Sequence, residues 1–123
     1  MKRFILGFFR KEGIQVKTIS IIFCSDEYLL KLNKKHLNHD YYTDILTFDL
    51  APKSQPCEAE LYISIGRVKE NAQQLNVIFS IELLRVIFHG VLHLAGYHDK
   101  KQVEQQAMRV MEDKLLTKFL RST

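Results

Sequence analysis

Apolar residues recur along this chain with two periods, one typical of helices and one typical of strands. Helical spacing predicts five helices. They run over 2–12, from Ser25-Asp26 to Leu37, from the end of the third strand to about Leu75, from Ser80 past His93, and over 101–120. Alternation and β-branched residues predict strands over 16–23, 45–50 and 60–65, with a turn at 52–56. This order predicts a single α/β domain of the α+β type over residues 1–123, with a small mixed sheet surrounded by helices.

The same periodicity predicts which side chains face the core. In the second helix the predicted inward residues are Tyr28, Leu29 and Leu32. In the last helix they are Val103, Met108, Met111, Leu115 and Leu116.

Two histidines stand four residues apart in the fourth predicted helix. His89 and His93 therefore project from one face, one turn apart, as two ligands of one metal ion require. Gly96 follows three residues later, where a left-handed turn can return the chain to the histidines. The pattern predicts three protein ligands and one open position, which is typical of a catalytic zinc site.

The third ligand has two candidates. Asp99 lies ten residues after His89, the spacing of the extended zinc motif of metzincin peptidases, so the register favours it. His98 is the competitor, because histidine is the more frequent zinc ligand. Zinc, one ion per chain, is the expected metal, although nickel or another divalent ion suits the same ligands.

Peptidases of that class carry a glutamate general base directly after the first histidine. Here that position is Gly90, which has no carboxylate. A zinc peptidase is therefore the least favoured function.

Composition indicates a globular protein with an anionic partner. The 123 residues carry a formal charge of +4, and the pI is about 9.1. Lys34 and Lys35 approach a polar loop and are candidates for phosphate contacts, and Arg85 is a weak candidate for neutralising negative charge. No apolar run is long enough to span a membrane, and the N-terminal apolar run lacks a signal cleavage site, so we expect a cytoplasmic protein.

Three blocks of the sequence resemble the YbeY family of metal-dependent endoribonucleases, which act in ribosomal RNA maturation. HGVLHLAGYHD, from His89 to Asp99, is similar to the family motif HGxLHLxGYDH. Leu32-Asn33 with the segment from His39 to Phe48 resembles the LN…TDVLSF block, and 59–64 resembles a GD(I/L)-type strand. The resemblance implies a zinc-dependent endoribonuclease specific for single strands, acting on the 3′ end of 16S rRNA. It also implies ribosomal RNA, and ribosomal or ribosome-associated proteins, as partners.

The chain departs from the family pattern at three places. Asp99 stands where the family has its third histidine, and His98 stands where it has aspartate. Leu37 replaces an arginine, which removes an expected phosphate contact. The usual N-terminal strand is not evident, so we expect the sheet to lack an edge.

No general base is evident, so the catalytic residues stay open. We hypothesise that the zinc ion polarises a phosphate oxygen, activates a water, or does both. Asp44 and Glu60 are the candidates for a base, although Asp44 can equally fix its turn and Glu60 can face solvent. The alternative is an RNA- or ribosome-binding assembly factor whose zinc is mainly structural.

Overall fold

In the computed structural model, which describes residues 1–52 and 55–122, five helices surround a three-stranded sheet. The helices are α1 (Lys2–Lys11), α2 (Asp26–Leu37), α3 (Ile65–Leu75), α4 (Phe79–Leu94) and α5 (Gln102–Arg121). The strands are β1 (Val16–Cys24), β2 (Ile45–Asp49) and β3 (Cys57–Ser64). The predicted single-domain α+β architecture is confirmed. Part of the predicted turn at 52–56, residues 53 and 54, lies outside the described residues.

The sheet has β3 at its centre, in the order β1-β3-β2. It is mixed, because β3 runs parallel to β1 and antiparallel to β2. Alternate β3 residues are buried, as the two-residue period of a strand requires. They are Cys57, Ala59, Leu61 and Ile63, which belong to the main core cluster with the buried residues of α4.

Aromatic rings pack α1, α4 and α5 against one another in this core. The ring of Phe4 lies 5.6 Å from that of Phe88 and 5.2 Å from that of Phe119, measured between centroids. Ile5 and Phe9 place the remaining apolar face of α1 in the same core, at 0% and 1% exposure. These contacts fix the three helices relative to one another.

The backbone of α4 passes close to the sheet at Gly90. A Cβ atom there would lie 2.7 Å from Cδ1 of Ile45 and 2.9 Å from Cγ2 of Thr47, both on β2. Only glycine permits this approach. The contact holds this part of α4 directly against β2.

Three local predictions are wrong. Tyr28 is 49% exposed, because α2 buries Leu29 and Asn33 and leaves Tyr28 at the flank of that stripe. Val103 is 76% exposed in the first turn of α5. Ser80 does not cap α4, because Phe79 packs on the core and the helix already begins there, after Ile78.

None of the described helices is by itself long and apolar enough to cross a membrane. The pair α3 and α4 meets that criterion only jointly, with a bend of 116° between them.

Replacing Gly90 by alanine tests the close approach of α4 to the sheet. The added methyl group must displace Ile45 and Thr47, and this overpacking outweighs the gain in helix propensity. We expect Gly90→Ala to lower the free energy of unfolding by about 1–2 kcal/mol in urea denaturation. Gly7→Ala is the matched control, because a Cβ at that helical glycine meets nothing within 4 Å. It should raise stability by roughly 0.5–1 kcal/mol, and equal effects of the two substitutions would contradict the close approach.

Candidate metal centre

The helix α4 and the turn after it bring three ligand atoms together. The Nε2 atoms of His89 and His93 are 3.0 Å apart, and Oδ2 of Asp99 lies 3.2 Å from the first and 3.3 Å from the second. Two ligands of a tetrahedral zinc ion with bonds of about 2.0–2.1 Å are about 3.3–3.4 Å apart. The triangle therefore has the dimensions that one such ion requires. All three side chains are 28–36% exposed, so the ligand set faces an opening to solvent.

The turn after α4 determines which residue joins the histidines. Gly96 has a φ of +99°, and the Tyr97 amide donates to the Leu92 carbonyl at 3.0 Å, so the chain reverses just after the helix ends. This reversal directs Asp99 to the histidines. His98 is exposed and lies outside the cluster. The geometry thus follows the register of the motif.

A buried carboxylate on α5 orients the first histidine. Nδ1 of His89 donates to Oε2 of Glu112 at 2.6 Å, and the Glu112 side chain is only 7% exposed. With the proton on Nδ1, Nε2 keeps its lone pair for a metal ion. Sequence reasoning missed Glu112. The available signal was a carboxylate in the apolar stripe of α5, between Met108 and Leu115.

The same carboxylate changes the titration of His89. Burial by itself lowers the pKa of His89, but the hydrogen bond and charge of Glu112, with the charges of Asp99 and Asp44, outweigh it. The pKa therefore lies above the usual value for imidazole. Protons compete with a metal ion for Nε2 at a higher pH than they do at an ordinary histidine.

Arg85, the weak candidate for neutralising negative charge, contacts two carboxylates on α5. Its Nη1 lies 2.8 Å from Oδ1 of Asp113 and 3.4 Å from Oε1 of Glu112. The side chain is 19% exposed and lines a cavity of about 300 Å³ beside His89. Its observed contacts make Arg85 part of the support of Glu112.

A cleft of about 460 Å³ opens at the ligand triangle. Its walls are the three ligands, Leu37 and the segment 43–47. Asp44 lies on this cleft, and burial raises the pKa of its carboxyl group although the nearby His89 acts in the opposite direction. The structure thus places one of the two candidate bases beside the three candidate ligands.

The other predicted residues are not brought to the cleft. Lys34 forms an ion pair with Asp40 at 3.1 Å, and Lys35 is exposed on α2; neither lines the cleft. Glu60 accepts a hydrogen bond from the hydroxyl of Tyr62 at 2.9 Å and is also absent from the cleft wall. Leu37 does line it and presents an aliphatic side chain to the cleft.

Comparison with known proteins places these features in a family. The family model described as Endoribonuclease YbeY matches residues 2–120. The chain is 48% identical over 108 residues to Endoribonuclease YbeY of Cytophaga hutchinsonii. This alignment covers 88% of this chain and 76% of that protein. It is 46% identical over 111 residues to Endoribonuclease YbeY of Porphyromonas gingivalis. This alignment covers 90% of this chain and 72% of that protein.

A solved structure agrees with the sequence matches. The solution structure of a protein from Thermotoga maritima superposes with a TM-score of 0.66 and 32% sequence identity. The alignment covers 98% of this chain and 81% of that chain. On the match of the family model and the identities to these relatives, the chain belongs to the endoribonuclease YbeY family.

Proposed function

We propose that residues 1–123 form one nuclease domain that binds a zinc ion through His89, His93 and Asp99 and cleaves single-stranded RNA. One observation carries the proposal: three ligand atoms 3.0–3.3 Å apart lie on an open cleft in a chain whose relatives are endoribonucleases. We further propose that the substrate is ribosomal RNA, processed at the 3′ end of 16S rRNA in the cytoplasm during ribosome maturation. Ribosomal or ribosome-associated proteins are the expected protein partners.

The donor set fits zinc. Two imidazole nitrogens and one carboxylate oxygen are ligands that zinc accepts, and three protein ligands leave a position for water or substrate. When bound, the ion supplies Lewis-acid chemistry, polarising a phosphate oxygen and lowering the pKa of water. Nickel accepts the same ligands, so the metal must be identified by analysis of the purified protein.

The side chains around the ligands have separate tasks in this proposal. Glu112 holds the proton of His89 on Nδ1 and so keeps Nε2 available for the ion. Arg85 ties Glu112 and Asp113 together and balances part of their charge. Asp44 is the titratable group on the cleft that is not a ligand, and we assign it the transfer of a proton to or from the substrate.

Two other functions are distinguished by single features. A zinc peptidase requires a general base at position 90, where the glycine instead packs against β2. An assembly factor with a structural zinc is favoured by Leu37, which gives the cleft no cation for phosphate. Such a factor retains zinc and RNA binding but does not cut RNA.

The third ligand is tested by metal analysis of two neighbouring variants. We expect the parent and His98→Ala to contain about one zinc ion per chain, and Asp99→Ala to lose it, because only Asp99 reaches the histidines. Circular dichroism establishes that both variants are folded. Loss of zinc in His98→Ala alone would reassign the ligand and require a shift of the turn by one residue.

The role of Glu112 is tested by the pH dependence of zinc binding. Zinc affinity of the parent should fall as the pH decreases through the raised pKa of His89, because the proton then occupies Nε2. In Glu112→Gln this pKa should fall, so the loss moves to lower pH, while affinity at high pH drops about 10–100-fold. Asp113→Asn is the control, since it removes a carboxylate from the same helix that contacts Arg85 but not His89. An unchanged pH profile in Glu112→Gln would contradict this role.

Cleavage assays test the reaction itself. The zinc-loaded protein should cut a single-stranded RNA faster than the same sequence in a duplex, and removing the ion with a chelator should abolish cleavage. Asp44→Asn should retain zinc and lower kcat by about 10²–10⁴-fold, as expected for loss of a general acid or base. Undiminished cleavage by a zinc-free His89→Ala/His93→Ala variant would exclude this mechanism, and zinc-loaded protein without any cleavage would favour the assembly factor.

A further inference from the structure

A groove between α1 and α5, which does not include the candidate metal ligands, is lined by basic side chains. The groove has a volume of about 400 Å³ and an aromatic floor that includes Phe4 and Phe8. Four cationic side chains line it, and no carboxylate does. They are Arg3, Arg10, Lys11 and Lys118. We refer to this feature as the α1–α5 groove.

The cations of the α1–α5 groove have no anionic partners within the described part of the chain. Neither arginine nor either lysine forms an ion pair there. The nearest carboxylates in sequence are engaged elsewhere: Glu12 accepts a hydrogen bond from Tyr97, and Asp113 pairs with Arg85. The positive charge of the groove is therefore not neutralised by the fold.

Two of these cations also stand close together. The side chain of Lys11 approaches that of Lys118, and hydrogen bonding and the positive charge of Lys11 lower the pKa of Lys118 below its usual value. Two neighbouring ammonium groups repel each other, and a bound anion between them would relieve that repulsion. Such a pair, with one lysine on each of two packed helices, can hold a phosphate group between the two ammonium groups.

We propose that the α1–α5 groove binds the phosphodiester backbone of single-stranded RNA, as a contact site separate from the metal cleft. The inference rests on the proposed function, which makes RNA the anionic substrate. It also supplies cations for RNA outside the cleft whose wall includes Leu37. When cationic residues neutralise phosphates, the RNA releases its condensed counterions into solution, so binding depends strongly on the salt concentration.

An anionic membrane fits the groove less well than RNA does. Interfacial helices bind bilayers by inserting an apolar face below the headgroups. The apolar face of α1 is already in the core, where Ile5 and Phe9 are 0% and 1% exposed. Around the α1–α5 groove, α1 presents Arg3, Arg10 and Lys11 to the solvent, and their charge suits a phosphate backbone.

The test is the salt dependence of RNA binding by the zinc-loaded protein. The probe is a fluorescent single-stranded 2′-O-methyl RNA that is followed by anisotropy, and gel electrophoresis verifies that it stays intact during the measurement. If Lys11 and Lys118 each contact one phosphate, Lys11→Ala/Lys118→Ala should weaken binding about tenfold and reduce the slope of log K against log salt by about 1.4. Both residues are exposed, and circular dichroism verifies that the variant is folded.

Lys17→Ala/Lys69→Ala is the matched control, because it removes the same charge from exposed residues on β1 and α3. Its slope should equal that of the parent. Equal slopes in the two double variants would overturn the proposal.

Binding to vesicles of equimolar phosphatidylcholine and phosphatidylserine is measured alongside. Loss of vesicle binding without a change in RNA binding would also overturn it, in favour of a membrane contact.

Failure of this proposal is separable from failure of the proposed function. Cleavage of unmodified RNA by the parent is measured in the same buffers. Absence of cleavage contradicts the nuclease, whereas a reduced slope in the lysine variant still supports the groove as an RNA site. Cleavage together with an unchanged slope contradicts the groove alone.

Discussion

The contact between the backbone of α4 and strand β2 is the constraint on which the site depends. Because position 90 carries no Cβ, the helix lies against Ile45 and Thr47, one position beyond His89. This proximity brings the histidines to the same cleft as the segment 43–47, with Asp44 among its walls. A side chain at position 90 would separate the two walls of the cleft, and a displacement of the ligands by even an ångström matters for catalysis.

The electrostatics of the site follow from the number of carboxylates gathered there. Glu82 and Glu112 are buried and Asp44 is half-buried, and burial raises the pKa of Asp44 and of Glu82. Arg85 compensates part of this charge through its contacts with Glu112 and Asp113. A divalent cation at the ligand triangle would compensate more of it, since a bound metal is the largest local charge in such a site. The arrangement is therefore suited to holding a cation rather than to meeting phosphate unaided.

Local patterns predicted the features that depend on local geometry. The four-residue spacing of His89 and His93 and the left-handed Gly96 are properties of one helix and its end, and the structure has both. The position of Glu112 depends on how α5 docks onto α4, which no local spacing encodes. Gly90 could be interpreted only as a missing base, because its packing against β2 is a tertiary contact.

Periodicity likewise predicted a buried stripe but not its extent. Met108, Leu115 and Leu116 are buried as expected, whereas Val103 belongs to the same pattern and is exposed. Which residues of a stripe meet a neighbour depends on where the packed helices overlap. Lys34 and Lys35 do not line the cleft, and their predicted contact with RNA stays a prediction.

The hydrogen bond between Glu112 and His89 connects the chemistry of the site to the completeness of the fold. Until α5 is docked, nothing in the described structure sets the tautomer of His89, and its ring is free to offer either nitrogen. The turn that carries Asp99 is likewise tied to α1 through Tyr97 and Glu12. A half-folded chain thus holds its histidines without a fixed geometry. The geometry on which the proposed nuclease depends would therefore form only after α5 and α1 have docked.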